Sequence, residues 1–416
     1  MRATSGGQPT ILVTDAGRGS AVACIRSLGR RGWRVIAADS DPRAPGLHSR
    51  YASEQLLYPP PEHEPRAFAE ALLRAARERG VDLIIPVTDA AILPLAEARG
   101  RFAGVCAVTL PEQEALEVVT DKRRTLELAG RLGVPAPRTA LVHTAEEALA
   151  HAPSLGWPIV LKPLRSRLYR EGGAIEALTV TYAEHPARLA EQMRHFEGRC
   201  PVLLQEYYRG VGHGVELLAD HGRPLAAFQH RRLREVPVQG GASAFRESVP
   251  LDPELYRYAA DLLAALRWTG LAMVEFKVGA DGPRLMEING RIWGSLPLAV
   301  HSGMDFPARL VELYLGPGAA PAQVDTRYRA GVRSRNLELD LVWIGSVLRG
   351  RRRHAFLEMP RRSQALAAVL GLLSPTSRFD ILSLRDPRPG LAELSKLVTK
   401  IGVKLRDARA PEGARA

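Results

Sequence analysis

Cysteine is nearly absent from this chain. Its three residues, Cys24, Cys106 and Cys200, stand far apart and without metal-ligand spacing. That excludes a disulfide framework and a thiolate zinc site, and it fits a reducing cytoplasm, the expected location. The opening residues MRATSGGQPT lack the apolar core of a signal peptide. Long apolar runs are missing too. Stretches such as 365–373 are too short to span a bilayer, so no transmembrane segment is expected. Lysine is scarce before residue 390, where Lys122, Lys162 and Lys277 stand alone among many arginines. Either placement is chance, or a compact ammonium has work at those positions that arginine does not suit.

The 416 residues exceed what one core usually holds, so two or three domains are expected. With 46% hydrophobic and 25% charged residues, the composition is that of a folded globular protein. The net charge is +12, but most of the surplus lies after residue 330, as in the arginine run at 349–353. The basic balance therefore says little about the first three quarters.

The chemistry concentrates in residues 271–291, LAMVEFKVGADGPRLMEINGR, read as two strands joined by a glycine turn. Alternation puts Leu285, Glu287, Asn289 and Arg291 on one face, with Met286 and Ile288 on the other. A three-residue loop over 280–282 sets Gly279 opposite Pro283 and Glu275 opposite Glu287. Facing carboxylates repel unless a cation lies between them. Two carboxylates and an amide oxygen suit Mg²⁺ or Mn²⁺ shared with phosphate oxygens, and Arg291 suits the phosphate itself. The plainer alternative is a solvated hairpin with a surface salt bridge.

Upstream, the strand at 10–14, a glycine turn, the helix from Ser20 to Arg31 and the strand from Arg34 to Ala38 ending at Asp39 form a βαβ unit. Val22 replaces the third glycine of a dinucleotide fingerprint, so the unit either binds a cofactor or frames a cleft. A helix over 64–79 and the strand 81–86 continue a parallel sheet, with Val87, Thr88 and Asp89 at its ligand-binding end. Helices follow at 112–132 and 145–155, then the strand Ile159 to Pro163, which carries Lys162. A lysine ending an apolar strand must reach water or an anion. The basic loop ending at Gly172 and Gly173 is a phosphate-covering flap or a surface hairpin. Arg231, Arg232 and Arg234, with the Gly240, Gly241 and Ser243 loop, line an acceptor pocket or form a strand salt-bridged to Glu235. His301 and Ser302 either meet a substrate or are structural. Residues 316–321 read as a linker, 380–389 as a break, and 408–416 as disordered.

The ordered series Asp121-Lys122, Ile159 to Pro163, Gln205-Glu206-Tyr207, Glu216, Glu275 and Glu287 to Arg291 resembles the ATP-grasp superfamily. Within it, the likeness is to carboxylate–amine ligases related to the large subunit of carbamoyl-phosphate synthetase, over residues 10–316. The resemblance implies an α/β (α+β) fold. Residues 1–112 would be a Rossmann-like domain, 113–318 the ATP-grasp domain with its lid over about 155–204, and 319–416 a mostly helical accessory region. It implies that Lys122 and Lys162 hold ATP phosphates. Residues Gln205, Glu206, Tyr207 and Tyr208 would form the hinge at the adenine edge, with Glu216 on the ribose. Glu275, Glu287 and Asn289 would hold two Mg²⁺ or Mn²⁺ ions, Arg291 and Lys162 would serve catalysis, and Gly172 and Gly173 would belong to the lid. The arginine-rich lid departs from the longer glycine run of relatives.

The implied reaction makes an acyl-phosphate from ATP and a carboxylate, which an amine, often an amino acid, then attacks, leaving ADP and phosphate. Alternatives are a carbamoyl- or acyl-phosphate synthase and a non-catalytic ATP-binding module. Arg232, Gly241 and Ser243 are the acceptor candidates. Small-molecule substrates are expected and nucleic acid is not. A homodimer stays open, and the basic C-terminal region is either a solvated cap or a weak contact with a membrane surface.

Overall fold

Every residue of the first strand, β1 (Thr10–Val13), is buried, because helices cover both faces of its sheet. Ile11 and Val13 point into one core and Leu12 into the other. The computed structural model describes residues 8–164, 167–169, 175–238, 240–316, 323–350, 356 and 358–409; side chains of 167–169, 175–177 and 401–409 are excepted. β2 (Arg34–Asp39), β3 (Glu54–Leu57), β4 (Leu83–Ile85) and β5 (Ala107–Val108) join β1 in a parallel sheet ordered β3-β2-β1-β4-β5. The helices Gly19–Arg30 and Pro65–Arg79 lie close to where the sequence put them.

The glycine turn after β1 is filled by the protein itself. Asp39 Oδ2 accepts from the Gly17 N–H at 2.7 Å, and a Cβ on Gly19 would stand 3.0 Å from Asp380 Cβ. Asp39 is thereby occupied, and the unit frames a cleft.

A second, antiparallel sheet is ordered β10-β7-β11-β6. It is made of β6 (Thr139–Val142), β7 (Ile159–Pro163), β10 (Thr181–Ala183) and β11 (Val202–Glu206). The helices Ala145–Leu155 and Pro186–Arg194 share its core with Val142, Ile159, Leu161 and Leu204. Between β7 and β10 in the chain, β8 (Arg167–Tyr169) and β9 (Ile175–Ala177) form a separate antiparallel pair. The sheet containing β6 and β7 begins at Thr139, ahead of the residues 155–204 expected for a lid.

The central sheet has seven strands: β12 (Val211–Asp220), β13 (Arg223–Val236), β14 (Ala242–Ser248), β15 (Gly270–Gly279), β16 (Gly282–Asn289), β17 (Arg333–Arg335) and β18 (Ser377–Phe379). Their order is β16-β15-β12-β13-β14-β17-β18. One face packs on the helix Pro253–Ala265 through Val215, Val274, Phe276 and Leu262. On the other face, Leu218, Phe228 and Met273 share a single core with Ile25 and Leu28 of the helix Gly19–Arg30 and with Trp293. Each such side chain contributes about 1.5–3 kcal/mol on full burial, so the two parts are held by a common interior.

The expected boundary at 318/319 does not separate an accessory region. β17 pairs with β14, and β18 with β17, so the C-terminal part completes the central sheet. Trp343, Ile344 and Val347 of the helix Leu337–Arg349 cluster with Val236 at the end of β13. The short strands 333–335 and 377–379 carry mostly polar residues, which hid them from a hydrophobic-pattern reading. Pro387 starts the last helix, Pro387–Arg409, so the expected break ends at 386. Residues 317–321 of the expected linker and 410–416 of the expected tail lie outside the described residues.

Candidate active site

β15 and β16 meet through the two-residue turn Ala280-Asp281, with Gly279 paired to Gly282. This is tighter than the expected three-residue loop. Gly282 takes the left-handed φ of 87° that a glycine tolerates. A bulge then restores the register. Phe276 pairs with Leu285 and Glu275 with Glu287, leaving Met286 as the extra residue. The acids do face each other, by a different route from the one expected. The bulge also reverses the faces upstream of it. Leu285 is buried in the apolar core with Ile288, while Met286, Glu287 and Asn289 line a cavity.

Asn289 Nδ2 donates to Glu275 Oε1 at 3.0 Å and to Glu287 Oε1 at 3.2 Å. Burial pushes the Glu275 carboxyl up to about 7; Arg232, 2.5 Å away, pulls it down and Glu287 pushes it up again. Among the described residues, no three His, Cys, Asp or Glu side chains converge on one point. Two acids and an amide would leave much of a cation's shell to water and ligand oxygens, the habit of Mg²⁺.

The cavity, about 710 Å³, lies between the hairpin, the lid sheet and the ligand-binding end of the N-terminal sheet. In β7, Ile159 and Leu161 enter the lid core, which leaves Val160 and Lys162 facing the cavity. Burial lowers Lys162 to about 8, with Glu287 opposing the shift and Lys277 and Lys122 adding to it. The three scarce lysines thus surround one space. Lys122 begins its helix behind Asp121, whose Oδ1 accepts from the N–H groups of Arg123 and Arg124 at 2.8 and 3.2 Å. Arg291 also lines the cavity and donates from Nε to Asp89 Oδ2 at 3.0 Å.

Gln205, Glu206, Tyr207 and Tyr208 line the cavity's edge where the lid joins the central sheet. Their side chains are largely engaged. Gln205 Nε2 donates to Thr139 Oγ1 at 3.0 Å, and Tyr208 Oη donates to the Gly282 carbonyl at 2.6 Å. Glu206 accepts from the Arg138 N–H at 3.0 Å and from Arg138 Nε at 2.5 Å.

Glu216 is a correction. It is fully buried and outside the cavity, accepting from Ser295 Oγ at 3.0 Å, and burial pushes its carboxyl well up. It holds Ser295 in the loop after Arg291 and does not line the cavity. Gly172 and Gly173 lie outside the described residues.

Arg232, Gly241 and Ser243 line the cavity. Arg231 and Arg234 do not; they pair with Glu247 and Asp340, each at 2.6 Å. His301 meets the Phe379 carbonyl at 3.2 Å, and Ser302 is buried. The sequence reading missed Arg246, buried yet on the cavity wall. The signal that flagged Lys162, a cation inside an apolar strand, applies equally to Ala242–Ser248.

The family described as "ATP-grasp in the biosynthetic pathway with Ter operon" matches residues 199–338. This chain contains an ATP-grasp domain. The match to the ATP-grasp family runs past 318 through β17, as the continuous sheet does. The carbamoyl phosphate synthase large chain of Thermomicrobium roseum is 28% identical over 228 residues, 53% of this chain and 20% of that one. The formate-dependent phosphoribosylglycinamide formyltransferase of a Synechococcus species is 35% identical over 138 residues, 33% of this chain and 32% of its own. This chain thus covers well under two thirds of these relatives. Among solved structures, biotin carboxylase of Campylobacter jejuni superposes with a TM-score of 0.59 at 20% identity, covering 76% of this chain and 73% of that one. The L-amino acid ligase of Bacillus licheniformis gives 0.55 at 16% identity, with 74% of each chain covered. These likenesses establish the ATP-grasp fold, here with an N-terminal parallel sheet and a C-terminal extension. No helix among the described residues is long and apolar enough to cross a membrane.

Proposed function

We propose that this protein is an ATP- and Mg²⁺-dependent ligase that activates a carboxylate as an acyl-phosphate for attack by an amine. The observation that carries this reading is the convergence of Lys122, Lys162, Glu275, Glu287, Asn289 and Arg291 on one cavity of an ATP-grasp domain. Relatives lend support. A biotin carboxylase domain of Hydrogenobacter thermophilus, similar at TM-score 0.59, is described in complex with MgADP and bicarbonate.

The donor set fits a hard divalent cation. Glu275, Glu287 and Asn289 are hard ligands in file, and burial has raised the Glu275 carboxyl in the way that a nearby cation would reverse. When bound, Mg²⁺ neutralises charge on the phosphates. Asn289 presents its NH₂ to both acids in the free chain, so holding the cation through Oδ1 would require its amide to turn over.

Lys122 and Lys162 hold the phosphates, and the backbone at 206–208 meets the adenine edge. Val160, Val180 and Met286 give the cavity apolar wall. Arg291 balances charge on the γ-phosphoryl group as it passes from ATP to a carboxylate oxygen and ADP leaves with the bonding pair. The amine nitrogen then attacks the acyl carbon, phosphate leaves with the bonding pair, and the nitrogen loses a proton. Positioning and charge neutralisation do most of this work, and no protein nucleophile is needed.

Purified protein given ATP, Mg²⁺ and pooled acids and amines should release ADP and phosphate. Release of AMP and pyrophosphate defeats the reading. ATP consumption that needs bicarbonate and ammonia and no other acid or amine replaces it with carbamoyl-phosphate formation.

A further inference from the structure

Arg232 on β13 and Arg246 on β14 are direct cross-strand partners, so both guanidiniums leave the sheet on one face. Like charges so placed are destabilising unless each has its own acid. Arg232 has two, Glu275 at 2.5 Å and Glu235 at 3.1 Å. Arg246 has Asp380, which lies just beyond β18 and 2.6 Å from Nη2. Asp380 is fixed in turn by Ser334 Oγ at 2.7 Å.

Despite this matching, the hairpin keeps three buried donors without a partner among the described residues: Arg232 Nε, Ser243 Oγ and Arg246 Nε. Arg246 is only 1% exposed, so water does not compensate it. Each such group costs about 1–3 kcal/mol when left unmade, a cost that a fitting acceptor removes. All three residues line the cavity, and Arg232 touches the acid Glu275. The nucleotide end already has its own cations in Lys122 and Lys162.

We propose that Arg232, Ser243 and Arg246 form the site for the carboxylate of the acid substrate, with Asp380 as the residue that positions Arg246. A planar carboxylate suits guanidinium donors on neighbouring strands with a hydroxyl between them. The C-terminal extension then has a defined role: it supplies Asp380 and, through Asn336 and Leu339, part of the wall around the acid. This assignment rests on the ligase reading above.

The test uses the full chain, Mg²⁺, ATP and hydroxylamine as a general amine, with acetate, succinate, benzoate, L-alanine and L-glutamate as acids. An acyl-phosphate is trapped as a coloured hydroxamate. Binding of a non-hydrolysable ATP analogue is measured separately by calorimetry. In Arg246→Met, KM for the active acid should rise about tenfold or more, the loss of one charge-assisted contact. Affinity for the analogue should stay unchanged. Asp380→Asn should raise the same KM with a smaller change in kcat, and Arg246→Lys should recover part of the loss. Ser243→Ala, which leaves the buried ion pair intact, should raise KM a few-fold and decides the matter if Arg246→Met does not fold. An unchanged KM in Ser243→Ala and in whichever Arg246 variants fold overturns the site. So does wild-type protein that binds the analogue but forms no hydroxamate with any acid, or an anion effect produced by inorganic phosphate and not by carboxylates. Wild-type protein that fails to bind the analogue overturns the ligase reading itself.

Discussion

Arg291 Nε and Asp89 Oδ2, 3.0 Å apart, join the end of the β15–β16 hairpin to the first turn of a helix in the N-terminal domain. The pair spans two parts of the chain that meet at the cavity. Asp89 is 63% exposed, so the pair contributes less than about 1 kcal/mol to stability. Its value is geometric. Asp89→Ala should lower turnover about tenfold by loosening Arg291. The melting temperature should move by no more than about 2 °C. Arg291→Ala should cost about 10²-fold or more. Steady-state ADP release and a thermal melt check both.

The facing acids predict a metal-dependent stability. Saturating Mg²⁺ should raise the melting temperature of the wild type, by about 2.7 kcal/mol of stabilisation at a hundredfold excess over Kd. Glu275→Gln and Glu287→Gln should abolish both this shift and Mg²⁺-dependent turnover. A shift that persists in both variants would mean that the cation binds elsewhere.

Lys162 predicts a pH dependence. Its folded pKa is lowered from 10.5 to about 8. The ammonium that meets phosphate is present below that value. Affinity for an ATP analogue should fall about tenfold per pH unit above it, measured by calorimetry. Lys162→Arg should bind with a flat profile to pH 9, because guanidinium stays charged. For stability the sign is opposite. Between about 8 and 10.5 the unfolded chain binds more protons, so this group's contribution rises with pH.

Asp386 ties the C-terminal extension to the N-terminal domain. It is fully buried, accepts from Arg26 Nε at 2.9 Å, Ser49 Oγ at 2.7 Å and the Arg50 N–H at 2.9 Å. Burial raises its pKa, but these donors outweigh burial and leave it below 3.8. A depressed carboxyl adds stability above its unfolded pKa and loses it as pH falls through the folded value. Asp386→Ala strands Arg26 and should cost about 3–5 kcal/mol in denaturant unfolding. It should also flatten the acid limb of the stability curve below pH 4.

Much of the fold was legible from hydrophobic period. The helix Ala145–Leu155 and the strand Ile159–Pro163 lie where alternation and helical spacing placed them. The site's acids and lysines were legible because charge inside an apolar strand is costly and needs a reason. Glu216 was misread because a glutamate on the acid-bearing face of β12 looks the same in sequence whether a loop closes over it or not. Leu285 was assigned to the wrong face because period-2 counting has no means to see a bulge. Strands β17 and β18 escaped because an edge strand of three polar residues carries no pattern.

What the chain determined by itself is which residues carry charge and at what interval, since side-chain chemistry and local period belong to the sequence. Which of those charges share a space was decided only by folding. Asp89 and Arg291 are 202 residues apart, and Arg246 and Asp380 are 134 apart. No local rule relates such distant positions. They meet because the N-terminal sheet, the central sheet and the C-terminal extension bury their apolar faces against one another. That packing brings the polar rims of all three to the cavity.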